Sequence, residues 1–389
     1  MAIGETLVWA GLFYVFAAMF LAWETDLGWS KSEISLGITL AILTSAACAP
    51  ISGRIIDAGY GRFLMPVGAV VGALGLLLLA ELDTKGGYWA AWILIGATQS
   101  ATLYEPCFSF VIRTLGGKAR FAITRITLVA GFASTLSFPA AALLNGAYGW
   151  RITVIIFACV VAFIAAPALY FGALLLERST TQKAPAPIKA ENRATIKRVM
   201  KRREFWLIAF GFAFVALNHG IILNHVLPIF VDRGASLWAA TAAASMIGPS
   251  QVLGRVLMLR FERRLNSVPL AMIAISTACV ASLVLLTAQY HPALIFLFAV
   301  LQGCAFGVFS ILRPVMVAEI IGRAAFGAIS ARTSIPYLVA VAISPYIASL
   351  IWHAAGYDVV ILFALIASLI GLIAVRSLRN AAHHQQPDI

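Results

Sequence analysis

The sequence predicts an all-α membrane protein of twelve transmembrane helices, arranged as two pseudo-symmetric six-helix bundles. Three observations predict it: too little charge for a water-facing surface, long unbroken apolar runs, and a set of turns that recurs in the second half.

The composition comes first. Of 389 residues, 61% are hydrophobic and 11% are charged. A soluble domain is typically about 45–50% apolar and about 25% charged, so this chain lacks the polar coat such a domain needs. The apolar residues stand in runs such as Leu36 to Pro50, Leu64 to Ala80 and Val268 to Ala288. A helix needs about 20 apolar residues to cross a hydrocarbon core of roughly 30 Å. Barrel strands would instead show alternating segments of roughly ten residues. The runs do not alternate, so the spans are helices: 5–23, 34–56, 64–81, 88–112, 121–144, 151–176, 204–230, 237–258, 267–288, 292–318, 325–351 and 357–376. The first has no basic segment before it and ends in Trp23-Glu24-Thr25-Asp26 with no small-residue cleavage site. It reads as a span and not as a cleaved signal peptide. All five cysteines, Cys48, Cys107, Cys159, Cys279 and Cys304, lie inside apolar runs and none forms a C-x-x-C pair. They read as small apolar residues, with neither a disulfide nor a metal implied.

Charge sets the orientation. If both termini share one side, that side holds Arg54, Arg62, Lys118, Arg120, Arg260, Arg263, Arg264, Arg323, Arg376 and Arg379, plus the basic residues of a central polar stretch. The opposite side holds Lys31, Lys85, Arg151 and Arg233. The positive-inside rule then places both termini in the cytoplasm of a multi-pass inner-membrane protein. The net charge of +12 records this topology, and no nucleic-acid partner is expected.

The polar stretch divides the chain. We expect a first bundle over 1–176, a cytoplasmic linker over 177–203, a second bundle over 204–380 and a cytoplasmic tail over 381–389. The linker contains Ala184-Pro185-Ala186-Pro187 and then Lys197-Arg198-Val199-Met200-Lys201-Arg202-Arg203. The basic segment either lies on anionic lipid headgroups or is a solvated linker held inside by its charge. Recurring turns support two related halves. Gly53-Arg54-Ile55-Ile56 matches Gly254-Arg255-Val256-Leu257, and Asp26-Leu27-Gly28-Trp29-Ser30 matches Asp232-Arg233-Gly234-Ala235-Ser236. Gly117-Lys118-Ala119-Arg120-Phe121-Ala122 likewise matches Gly322-Arg323-Ala324-Ala325-Phe326-Gly327. Parallel repeats of this kind bind substrate between them, near the midplane.

The turn after the second span reads Gly53-Arg54-Ile55-Ile56-Asp57-Ala58-Gly59-Tyr60-Gly61-Arg62. It resembles the G-x-x-x-D-x-x-G-x-R turn of major facilitator superfamily transporters. Asp57 and Arg62 stand in place, the glycine is displaced by one residue, and Ala58 replaces the usual basic residue. Within that superfamily the chain is similar to the bacterial monocarboxylate-transporter-like branch. The residues that carry this are Gly28-Trp29-Ser30-Lys31-Ser32-Glu33-Ile34-Ser35, Leu103-Tyr104-Glu105-Pro106 and His225-Val226-Leu227-Pro228. The resemblance implies alternating access, a monomer, and a cavity lined by spans one, four, seven and ten. It also implies that Glu105 and Arg313 face each other across the halves.

A charge at the centre of a span costs about 2.5–3.5 kcal/mol on insertion scales, so Glu105 and Arg313 need a partner, water or a role. Arg313 offers a planar fork that takes a substrate carboxylate bidentately. Glu105 is a protonatable group, since a carboxylate out of water takes up a proton more readily. Proton loading of Glu105 would free Arg313 for an anion; a fixed salt bridge is the rival reading. Each stands beside a proline, Glu105-Pro106 and Arg313-Pro314, which permits a kink beside a cavity. His219 and His225 titrate near neutrality when unperturbed and suit proton coupling, or else bond to neighbouring helices. Asn218 and His225 are seven residues apart and share a helix face. Tyr14, Gln99, Tyr104, Asn218 and Gln302 are further candidates for the substrate cavity, with interhelical bonding as the rival. Arg54, Asp57, Arg62 and Arg255 are expected to interlock cytoplasmic helix ends and close one state. Gly68, Gly72, Gly75 and Ala239 to Ala244 let backbones pack closely.

The expected activity is proton-coupled transport of a small organic anion such as a monocarboxylate, with a proton gradient and no cofactor. Efflux of amphipathic compounds is the alternative; the G-x-x-x-G-P pattern that antiporters carry in span five is absent. An enzyme is not expected: the chain has no H-E-x-x-H, no G-x-S-x-G and no P-loop. A receptor would normally append a soluble domain, and the longest loop is the central linker.

Overall fold

The computed structural model describes residues 1–115, 119–178, 197–261, 265–322 and 326–378. All its regular structure there is helical, with no strand among the described residues. Among the described residues, eight helical runs are long and apolar enough to cross a membrane: Ala2–Leu27, Lys31–Asp57, Gly61–Glu81, Phe121–Arg178, Arg203–Asn224, Ser267–Thr287, Leu294–Ile321 and Arg332–Arg376. Large apolar side chains such as Leu143, Phe163, Leu175 and Ile373 lie on their outer faces, each at least 66% exposed. Lipid, and not water, is the solvent that suits such a surface.

Two of these runs hold 58 and 45 residues. At about 1.5 Å per residue each far exceeds a core of roughly 30 Å. Each turns sharply at one glycine. Gly149 has φ 78° and ψ 167°, and Gly356 has φ 77° and ψ −178°. Only glycine adopts such angles without strain. Gly28 (φ 64°) ends the first helix in a left-handed cap, and Gly234 (φ 82°) stands at its counterpart turn. The next helix then starts from a capping box in which Ser30 and Glu33 satisfy each other's backbone N–H.

Two predicted spans break. Span 88–112 is two helices, Lys85–Thr102 and Tyr104–Leu115, with Leu103 extended between them. Span 204–230 is likewise Arg203–Asn224 and Val226–Asp232, parted at His225. In both cases a proline stands three residues after the break: Pro106 after Leu103, and Pro228 after His225. Proline has no N–H to give the carbonyl four residues back, and its ring clashes there. The motifs Leu103-Tyr104-Glu105-Pro106 and His225-Val226-Leu227-Pro228 are therefore helix breaks.

The described residues fall into two compact units. One lies within Met1–Pro185 together with Asn224–Pro228 and Leu237–Gly248. The other lies within Ala186–Leu223, Ile229–Ser236 and Pro249–Ile389. The first is cored by aromatic edge-to-face pairs, such as Phe16 with Phe20 (5.7 Å) and with Trp92 (5.3 Å). The second is cored by Phe205, Ile208, Phe212, Phe309, Leu312 and Met316. Glycines bring backbones together as expected: a Cβ at Gly75 would stand 2.8 Å from Ile95, and one at Gly72 would stand 2.8 Å from Leu12.

In the linker, residues 197–203 are described and 179–196 are not. Lys197, Arg198, Lys201 and Arg203 are exposed. Arg202 is engaged by the protein: its guanidinium donates to the carbonyls of Ile320 (3.3 Å) and Ile321 (3.5 Å) and pairs with Glu204 (3.2 Å). A cation at the C-terminal end of a helix satisfies its last carbonyls. The tail 381–389 lies outside the described residues.

Candidate functional site

In the first unit the site is built around a π turn, Ala10–Tyr14, inside helix Ala2–Leu27. Such a turn widens the helix and is frequent at functional sites. Two of its carbonyls accept side-chain donors: Ala10 O from Ser137 Oγ (3.0 Å), and Leu12 O from Gln99 Nε2 (2.7 Å). Gln99 is thus tied to the first helix, in a buried position. Trp9 stands one residue before the π turn and gathers the aromatics. Its ring lies 4.7 Å from Tyr104, 6.3 Å from Tyr14 and 5.0 Å from Phe13. Tyr104 also stacks on Phe108 (5.1 Å, 13°). The structure therefore brings Tyr14 and Tyr104 into one cluster around Trp9, which the sequence reading did not single out.

Glu105 does not have the burial on which its protonation argument rested. Helix Tyr104–Leu115 turns Pro106 and Cys107 into the core, and Glu105, one position earlier, is exposed. The buried acid of this unit is Glu5, fully inaccessible on helix Ala2–Leu27. It stands at the first position of the predicted span 5–23, where an acid passes for an interfacial charge.

His225 lies at the Asn224/Val226 break and is buried. Its Nε2 hydrogen-bonds the Ser35 hydroxyl (3.2 Å) and its ring lies 5.0 Å from Phe20. The shared face expected for Asn218 and His225 is lost, because the helix carrying Asn218 ends at Asn224.

In the second unit Asn218 and Gln302 meet directly. Gln302 Nε2 donates to Asn218 Oδ1 (3.0 Å), and Asn218 Nδ2 donates to Ser282 Oγ (3.1 Å) and Ala364 O (2.9 Å). Neighbouring His219 is buried, its ring stacked on Phe306 and its Nδ1 without a hydrogen-bond partner among the described residues. Arg313 closes the last turn of helix Leu294–Met316. Its guanidinium carbon lies 4.4 Å from the centre of the Tyr337 ring. Nη1 is buried and has no hydrogen-bond partner among the described residues.

Of the four residues expected to interlock, Arg54, Asp57 and Arg62 lie in the first unit and form no ion pair with one another among the described residues. Arg62 pairs with Glu177 (3.2 Å) rather than with Asp57. Arg54 and Asp57 are exposed. Arg255, in the second unit, is buried and its Nε donates to Gly307 O (2.9 Å). The turn after Lys31–Asp57 is instead tied by Arg113, whose Nη1 donates to Ile56 O.

Comparisons with known proteins bear on the family and the fold. The family model described as Major Facilitator Superfamily matches residues 1–290. Human Monocarboxylate transporter 11 is 26% identical over 220 residues, 55% of this chain and 46% of that one. Its mouse counterpart is 22% identical over 217 residues, 56% and 48% of the two chains. The matched region thus spans about half the length of these relatives. Among solved structures, nucleoside transporter NupG superposes with a TM-score of 0.72 at 13% identity, over 99% of this chain and 98% of that one. A D-xylose-proton symporter does so with a TM-score of 0.72 at 15% identity, over 97% and 95%. At such identities the likeness shows the fold.

Proposed function

Because the chain belongs to the Major Facilitator Superfamily, a family of transporters and not of enzymes, we propose that it is a secondary transporter that moves a small organic anion by alternating access, with a proton as the coupling ion. The full arrangement is twelve spans in two halves, in an inner membrane, with both termini cytoplasmic and the monomer as the working form. Support for the count comes from the two over-long runs, each divided by a glycine turn. Support for the duplication comes from the positions of those turns: Gly149 and Gly356 are 356 − 149 = 207 residues apart, and Gly28 and Gly234 are 234 − 28 = 206 apart. The exposed Lys197, Arg198, Lys201 and Arg203 supply charge for anionic headgroups beside the helix end that Arg202 caps.

The observation that carries the anion reading is the unused donor of Arg313. A cation within a span costs about 2.5–3.5 kcal/mol. The Tyr337 ring returns about 0.5–2 kcal/mol of that, and Nη1 still has no acceptor. A carboxylate on the substrate supplies one, in the bidentate geometry a guanidinium prefers. The names of the matched relatives, monocarboxylate transporters, point to the same substrate class.

The test is uptake of labelled lactate and pyruvate into proteoliposomes under an imposed pH gradient. Removing one partner of a buried charge pair costs about 2–5 kcal/mol, so Arg313→Ala should weaken binding at least roughly 30-fold. Arg313→Lys should recover only part, because an ammonium lacks the planar fork. Wild-type affinity in Arg313→Ala would remove the anchor; absence of gradient-driven flux in the wild type would remove the proton-coupled reading.

A further inference from the structure

Glu5 is a buried ionisable side chain that the proposed cycle has not used. It is 0% exposed, and both of its carboxyl oxygens are buried without a hydrogen-bond partner. It sits one turn before the π turn Ala10–Tyr14, on the same helix. Its polar neighbours are the Cys107 thiol and the Trp9 indole, yet neither completes a hydrogen bond to it, and the indole Nε1 is itself unpartnered. Cys107 is buried on the helix that restarts after the Leu103 break, two residues from Glu105.

No contact ion pair neutralises a carboxylate there among the described residues. The α-amine of Met1 and the Cys107 thiol are the titratable groups that act on it. The amine makes no ion pair with it among the described residues. Helix Ala119–Ala130 packs against this segment, but its Arg125 lies exposed over the Phe121 ring. Helix Ala166–Arg178 also packs there; its Tyr170 ring lies against Phe63 and Phe171, and its Arg178 is exposed at the helix end. An ion buried without a partner is among the costliest groups a protein can hold. Within a membrane span such a residue marks a proton or ion pathway by default.

We propose that Glu5 is the carboxyl that holds the coupled proton, bound to its side chain when buried and released when the first helix moves it to water. This rests on the proton-coupled reading above and names the group that reading leaves open. The chemistry is one proton bound and one released per cycle, with no other bond changed. The π turn that begins one position beyond Trp9 gives the helix a place to shift register, since such turns are the weak points of a helical ladder.

Two measurements test it on the full-length protein in liposomes. Infrared difference spectra should show the carbonyl band of a protonated carboxylic acid near neutral pH, shifting in heavy water. Glu5→Gln should lose that band and Glu105→Gln should keep it. With labelled lactate and pyruvate, Glu5→Gln should lose accumulation driven by a pH gradient and retain counterflow exchange, which needs no net proton movement. Retained counterflow also shows that the variant is folded, and Glu5→Asp should restore part of the accumulation. A band that survives in Glu5→Gln, a band that never exchanges in heavy water, or gradient-driven accumulation in Glu5→Gln would each overturn the assignment. A wild type that moves neither acid under a gradient would overturn the proton-coupled reading and this assignment with it. An exchangeable band lost in Glu5→Gln would in that case leave Glu5 a protonated acid without a coupling role.

Discussion

Gly96→Ala should destabilise the first unit by an amount the structure lets one work out. A Cβ at Gly96 would stand 2.1 Å from Ala41 O, 2.5 Å from Ala41 Cα and 2.6 Å from Ala41 C. Ordinary contact begins near 3.4 Å, so the helices Lys31–Asp57 and Lys85–Thr102 must part by 3.4 − 2.1 = 1.3 Å at this point. The obstacle is backbone, and no rotamer change relieves it. A gap of about 0.5–1 Å forfeits a quarter to a half of each dispersion contact, and that loss runs along the helix pair. Overpacking of this kind costs about 1–3 kcal/mol; a backbone clash belongs at the upper end. Alanine returns about 1 kcal/mol of helix propensity. The net loss is about 2 kcal/mol, or roughly 30-fold in the folded-to-unfolded ratio. Gly53→Ala is the matched control, because a Cβ there meets nothing within 4 Å; it should be neutral or stabilising by up to about 1 kcal/mol. Thermal unfolding of the detergent-solubilised protein measures both. If Gly96→Ala melts with or above Gly53→Ala, the close approach of these helices is not what the glycine provides. The second unit offers the parallel case at Gly254, where a Cβ would stand 2.1 Å from Cys304 O.

Two further outcomes follow from the same coordinates. Asn218→Leu removes three hydrogen bonds and strands the Gln302 amide. At about 0.6 kcal/mol each and up to about 1.7, it should lower stability by roughly 2 kcal/mol in the same melting assay, and an unchanged melting temperature would show the network to be slack. Gly149→Ala forces a Cβ into a positive-φ turn and should cost about 1–2 kcal/mol, as should Gly356→Ala; wild-type melting in both would mean that these turns are not fixed.

The helices were legible because lipid demands long apolar runs, and a run shows its own length in a sequence. The breaks were harder. Pro106 and Pro314 were visible as permitted kinks, yet Pro106 ends a helix at Thr102 while Pro314 stays inside one. A proline after a charged residue therefore does not by itself decide between a break and a continuous helix. Partners distant in sequence left no local trace. Gln302 and Asn218 are 84 residues apart, and nothing in the spacing joins them or sets Tyr337 beneath Arg313. Arg113, Arg202 and Trp9 act through backbone carbonyls or ring packing, which their identity alone does not announce. Glu5 was missed for another reason. Position along an apolar run gives depth in the membrane, and burial within the protein is a separate quantity.

Glu5 and Arg313 stand apart among the buried polar groups. Most of the polar residues in the spans are used up by the fold. Gln99 holds a π-turn carbonyl, Asn218 and Gln302 join helices, Arg255 holds Gly307 O and His225 holds Ser35. Several neutral donors stay unpartnered, among them the indoles of Trp9, Trp23 and Trp92, and each of those costs only the loss of one ordinary bond. A group that carries full charge costs more by several kcal/mol, so leaving one unpartnered needs a compensating use. Arg233 has buried unpartnered nitrogens too, but it forms an ion pair with Asp358 at 2.6 Å. Among the described acids and arginines, that leaves Glu5 and Arg313 with buried, unpartnered atoms and no ion pair. One lacks a proton donor's company and the other lacks an anion. A proton and a carboxylate are the two species that would satisfy them, and a carrier that exchanges both with water in turn has reason to keep each site unpaired.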